Sequence, residues 1–279
     1  MSTLTATAAA RRAASAGPEY RVTGRRVLRS EWAKLWSLRS TWITLGLALL
    51  FLVVFGLIAS VRYRSGMNSG RIDPGFARQS AVSLSLFGTN FAQLALGVLG
   101  VLATAGEYST GTIRSTLAAV PRRLPVLWSK AAVFGLVALV VGTAGAFAAF
   151  LAGHRVLATT PAAMDLSHDG AVRSLLGAGL YLALVAVIGT AVGALLRSIA
   201  GGISVLVAAL LLIPGLTTLL PSSWKDTIGP YLPGDAGASM YALTHDSTTL
   251  SPLAGGLVLL GWTALALAGA AYRLKRADA

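Results

Sequence analysis

The sequence predicts an all-α, polytopic integral membrane protein with six transmembrane helices, preceded by an amphipathic interfacial helix. Three observations carry that prediction. Of the 279 residues, 55% are hydrophobic, and the mean hydropathy is +0.71. Only 12% are charged, about half the share in an ordinary soluble domain. Apolar runs of roughly the 20 residues that a helix needs to cross a bilayer recur six times. Such a composition excludes a disordered chain and argues against a soluble enzyme.

The spans are expected at Thr41–Val61, Val82–Ala105, Ala131–Gly153, Ser174–Leu196, Ile203–Leu220 and Leu253–Tyr272. None contains Asp, Glu, Lys, Arg or His, and the fifth, the shortest, carries Pro214. Residues 1–24, rich in Ala, Thr, Ser and Arg, read as a disordered cytoplasmic tail, and 25–279 as the membrane domain. No apolar run closely follows Arg11-Arg12, so the pair does not read as a twin-arginine signal. In RRVLRSEWAKLWSLR (25–39), Leu28, Trp32, Leu35 and Trp36 share a helical face surrounded by basic residues. That pattern predicts a helix lying in the lipid interface before the first span, or a simple juxtamembrane anchor.

The formal net charge of +13 would suggest nucleic-acid binding in a soluble protein. Here topology accounts for it, and no nucleic-acid partner is expected. The N-terminal segment, 106–130, 197–202 and 273–279 hold 16 basic residues against four acids, whereas the alternate loops hold seven against six. The positive-inside rule therefore puts both termini in the cytoplasm. Arginine outnumbers lysine 19 to 4 in an Ala- and Gly-rich chain, which points to a GC-rich bacterial genome and a bacterial cell membrane.

Chemistry is sparse. The absence of cysteine excludes disulfides and thiolate metal sites. His154, His168 and His245 fall in outside loops, and no G-x-S-x-G or H-E-x-x-H occurs. His168 with Asp165 and Asp169 reads as a polar loop rather than a metal site. No span keeps the ionisable residue that ion-coupled transport usually needs. Asn90 and Gln93, near Thr89, either line a polar path or hydrogen-bond between helices. Gly189 and Gly193 have the spacing of close helix packing. There is no phosphate loop, so any uphill transport must draw its energy from another polypeptide.

The loop GEYSTGTIRSTLAAVPRRLPVLWSK (106–130) is the informative stretch. Ser109 or Thr110 is expected to cap a short helix reaching about Ala119, with Pro121 and Pro125 closing it. Ile113 and Leu117 form an apolar ridge suited to a partner's groove, or the helix merely links two spans.

Glu107, then Gly111-Thr112, Leu117, Pro121, the pair Arg122-Arg123 and Lys130 resemble the corresponding loop in permease subunits of ABC type-2 exporters. Arg29–Trp42, in which an acid precedes a lysine by a few positions, is similar to that family's pre-membrane helix, and Leu196-Arg197-Ser198 to a short turn. The resemblance spans about Arg25 to Arg276. It implies a dimer of identical or related permease chains, two cytoplasmic ATP-binding subunits, and no cofactor in this chain. It further implies that Glu107, Gly111, Thr112, Ile113, Arg114 and Leu117 transmit force from the ATPase. Gly111 would allow a turn or close approach; Glu107 would cap the helix or pair with a partner's arginine. The family often has short re-entrant helices before the last span, but five prolines and glycines within Gly229–Gly237 leave helices there unspecified. The rival expectation is a non-transporting anchor or sensor that recruits a cytoplasmic partner through the same loop.

Overall fold

The computed structural model describes residues 23–120, 123–217, 219, 221–244 and 248–276. The tail before residue 23, Pro121, Arg122, His245 and residues 277–279 lie outside them. The described residues are helical, with no β-strand. Helix α1 covers Gly24–Ser37. The helices long and apolar enough to cross a membrane are α2 (Arg39–Ser69), α3 (Ala81–Ser109), α5 (Leu124–Leu157), α6 (Ala171–Leu196), α7 (Ile199–Thr217) and α10 (Pro252–Arg276). Helix α4, Thr112–Ala119, joins α3 to α5. Two short helices, α8 (Ser222–Ile228) and α9 (Pro233–Tyr241), precede α10.

Several spans outrun their apolar cores, because backbone hydrogen bonding continues past the last apolar residue until a stop signal. In α2 the helix runs on through Arg62 and Arg64 and ends at Gly70, whose φ of +62° suits glycine. In α7, Pro214 does not end the helix. A π-helical segment, Ala208–Leu212, lies just before it and takes up the ring that would clash with the preceding turn. Residues 221–252 do form helices. Pro233 sits in the first turn of α9, where no amide donor is missed, and Gly237 gives space to the Tyr181 ring.

Helix α6 is the centre of the bundle, with 72% of its apolar window buried, against 17% for α7 and 22% for α10. Its closest neighbour is α3. A Cβ at Gly189 would collide with the Gly97 carbonyl, and one at Gly193 would lie 2.8 Å from the Val101 carbonyl. Gly100 in turn admits the Ala186 carbonyl. The glycine pair at 189 and 193 thus lets two backbones touch, which is how helices gain packing energy where lipid is as apolar as they are.

Helix α1 divides its apolar face between the core and the exposed side. It buries Val27, Glu31 and Leu35, one residue per turn, against the bundle. Leu28 and Trp32 are exposed, and Trp36 is half-buried. The stripe Leu28, Trp32, Leu35, Trp36 is therefore divided: Leu35 joins the main core and Trp36 packs against it, while Trp32 meets Trp36 edge-on and Trp36 meets Trp42 of α2 at a tilt. The reason is Glu31, whose partners lie inside the protein and turn the helix towards them.

Candidate functional site

The expected loop residues come together where α1, α3, α4 and α5 meet. Four charged side chains from three of these helices form one network. The Lys130 ammonium donates to Glu31 Oε2 at 2.6 Å, to Glu107 Oε1 at 3.1 Å and to the Ala103 carbonyl at 3.2 Å. The Lys34 ammonium donates to Glu31 Oε1 at 2.9 Å, to Glu107 Oε1 at 3.0 Å and to Thr116 Oγ1 of α4 at 3.3 Å. An ammonium has three N–H donors, and both lysines use all three. Two carboxylates face two ammoniums, so the group is neutral as a whole.

Burial makes this arrangement matter. Side-chain exposure is 1% for Glu31, 4% for Lys130 and 14% for Glu107, while Lys34 keeps 38%. Burial alone pushes the Glu31 carboxyl up, but the Lys130 charge and the hydrogen bonds from both lysines outweigh it and hold it below its ordinary value. Burial likewise pushes Lys34 down, and Glu31 and Glu107 together hold it above its ordinary value. Glu107 Oε2 is buried and has no hydrogen-bond partner among the described residues. The network borders a cavity of about 600 Å³ that reaches Leu102, Thr112, Ser115 and Phe134.

Helix α4 begins differently from the sequence expectation. Neither Ser109 nor Thr110 caps it. Gly111 holds the N-cap position with φ +75°, a left-handed turn that redirects the chain out of α3. Glu107 does not cap α4; its Oε1 accepts from Lys34 and Lys130. Thr112 is exposed, with its hydroxyl 3.0 Å from that of Thr110. The Ile113–Leu117 ridge is also used within the chain. It is buried with Val27, Val120 and Val126, so the surface α4 leaves open is the one bearing Arg114, Ser115 and Ala118.

Arg197, in the turn between α6 and α7, adopts a left-handed φ of +54°. Its guanidinium lies 4.9 Å from the centre of the Tyr108 ring, beside Glu107. Ser198 then caps α7 through the Gly201 amide.

The polar residues of α3 separate. Gln93 is buried; its oxygen accepts from Tyr181 of α6 and its amide donates to the Asn90 carbonyl. Gln93 thus bonds between helices. Asn90 is exposed, next to Phe87 and Phe91. At the opposite end of the bundle, Asp165 Oδ1 lies 3.6 Å from His154 Nε2, and His168 and Asp169 are exposed.

Sequence reasoning singled out Glu107 but missed that Glu31, Lys34 and Lys130 share its site. The available signal was two acid–lysine sets at the margins of apolar spans in a chain with so few charges. Compared with known proteins, the chain matches no family model and no curated sequence.

Proposed function

We propose that this chain is the transmembrane permease subunit of an ATP-driven ABC exporter in a bacterial plasma membrane, with both termini cytoplasmic. It forms the substrate pathway with a second copy or a related chain, and couples to a separate ATPase through residues 106–130. The observation that carries the reading is the neutral ion network joining α1, α3 and α5, with Thr116 adding α4. A displacement applied to a short helix reaches a membrane span only if the two move as one body. Two lysines that use all their donors on Glu31, Glu107, Ala103 and Thr116, backed by the Ile113–Leu117 ridge, give that stiffness.

In this reading the exposed side of α4, with Arg114, Ser115 and Ala118, meets the ATPase, and Gly111 sets its angle. Glu107 acts from behind by tying α3 to α1 and α5, so it positions the contact rather than making it. Asn90, on an exposed face at membrane depth, is covered by the second permease chain or lines the pathway, because an amide facing lipid is unfavourable.

The test is co-expression with the ATPase encoded nearby, purification in nanodiscs and measurement of ATP turnover. The chain alone should not hydrolyse ATP, and the complex should. Arg114→Glu should weaken the association while the permease keeps its wild-type thermal midpoint. If no ATPase co-purifies and Arg114→Glu changes nothing, the reading gives way to that of an anchor or sensor.

A further inference from the structure

A groove of about 930 Å³ runs between α1 and the start of α5. One wall carries Arg25, Arg26, Arg29 and Trp32 of α1, and the other Ala132 and Leu136 of α5. Its chemistry is layered. The guanidiniums lie on α1, outside the spans, and Trp32 is one turn beyond Leu28 on the exposed side of that helix. Ala132 and Leu136 are one turn apart on one face of α5, past Lys130, where the apolar stretch begins. Leu136 is exposed.

The arginines stand at an electrostatic cost. Arg25 and Arg29 are four residues apart on one helix face, where like charges repel. Arg25 also stands in the first turn of α1, at the positive end of its dipole, where there is no acid. Among the described residues, neither Arg25 nor Arg29 has an ion pair or hydrogen bond. An anion in the groove would remove both penalties. The aliphatic wall requires that anion to carry a hydrocarbon tail, and the tryptophan suits the level of a glycerol backbone.

We propose that this groove binds an anionic phospholipid, with the phosphate on Arg25 and Arg29 and an acyl chain along Ala132 and Leu136. This inference is independent of the exporter reading. A bound lipid would brace α1 against α5 beside its buried face.

The experiment uses the full chain in a neutral detergent at about 0.15 M ionic strength, close to physiological. Native mass spectrometry compares retained phosphatidylglycerol with phosphatidylcholine of the same acyl chains. Phosphatidylglycerol should be retained about thirtyfold better, the ratio expected from two guanidiniums at about 1 kcal/mol each. Arg25→Gln/Arg29→Gln should abolish that preference, whereas Arg62→Gln/Arg64→Gln at the opposite end should leave it intact. Ala132→Trp, which fills the groove without changing charge, should also reduce retention, with a thermal midpoint confirming that each variant is folded. The proposal fails if the arginine double variant still prefers phosphatidylglycerol. It fails equally if Ala132→Trp has no effect, which would mean diffuse surface attraction, or if inorganic phosphate displaces the lipid, which would mean a free-phosphate site.

Discussion

Removing Lys130 should destabilise the protein more than any single exposed charge does, and removing Glu31 with it should restore much of the loss. The Lys130–Glu31 contact is 2.6 Å. At an effective dielectric of 20 such a pair attracts by about 6 kcal/mol before desolvation is charged against it. Lys130→Met leaves Glu31, 1% exposed, with Lys34 as its remaining cation, and Lys34 must then serve two carboxylates. Breaking one partner of a buried pair typically costs about 3–5 kcal/mol, which lowers the thermal midpoint by roughly 6–20 °C for a chain of this size. In Glu31→Gln/Lys130→Met, Lys34 and Glu107 remain as a neutral pair at 3.0 Å. The double variant should therefore recover about 1–3 kcal/mol relative to the sum of the singles. Thermal unfolding in detergent, followed by tryptophan fluorescence, gives all four corners of the cycle, with exposed Lys275→Met as control. If Lys130→Met matches that control, or the two single effects simply add, the network is not the coupled unit described above.

Further outcomes follow from the same geometry. The Glu31 carboxyl is held below its ordinary 4.5, so its stabilising contribution is complete above that pH and is lost as pH falls through the lowered value; Lys130→Met should move the acid limb of a pH–stability curve to higher pH. Leu117→Asp should abolish folding, because it puts a charge into the cluster of Val27, Ile113 and Val126; recovery of a well-folded variant would refute the internal role of the ridge. Gly189→Leu should force α6 from α3 at the Gly97 carbonyl and cost at least about 1–3 kcal/mol in a thermal melt. A cysteine at exposed Ser115 should resist an impermeant thiol reagent in intact cells while one at exposed Ser167 reacts; the opposite pattern would reverse the proposed orientation.

How much of this was legible in the sequence depends on the range of the interaction involved. The spans announce themselves locally, since twenty consecutive apolar residues need no knowledge of their neighbours. Gly189 and Gly193 were visible as a spacing, but only the fold supplies Gly97 and Val101 as what they touch. The α1 face shows what a local periodicity leaves out: Leu28 and Trp32 have the apolar spacing and stay on the exposed side, while the buried ion pair that holds Glu31 inward depends on Lys130, 99 positions along the chain. Glu107 carried a motif, and its two lysine partners lie 73 and 23 positions away, separations at which no helical repeat operates. Charges at the margins of spans read as solvated flanks until their partners are known. Here the positive-inside count and the buried network draw on the same residues: Lys34 and Lys130 add to the excess of basic residues, and in the fold both are cancelled by Glu31 and Glu107. The excess that remains is carried by arginines, among them Arg25, Arg26 and Arg29 on exposed α1 positions. These five basic residues thus divide by chemistry. The two lysines, compact point charges with three donors each, close a buried site, while those arginines stay at the exposed edge, where a planar fork matches phosphate.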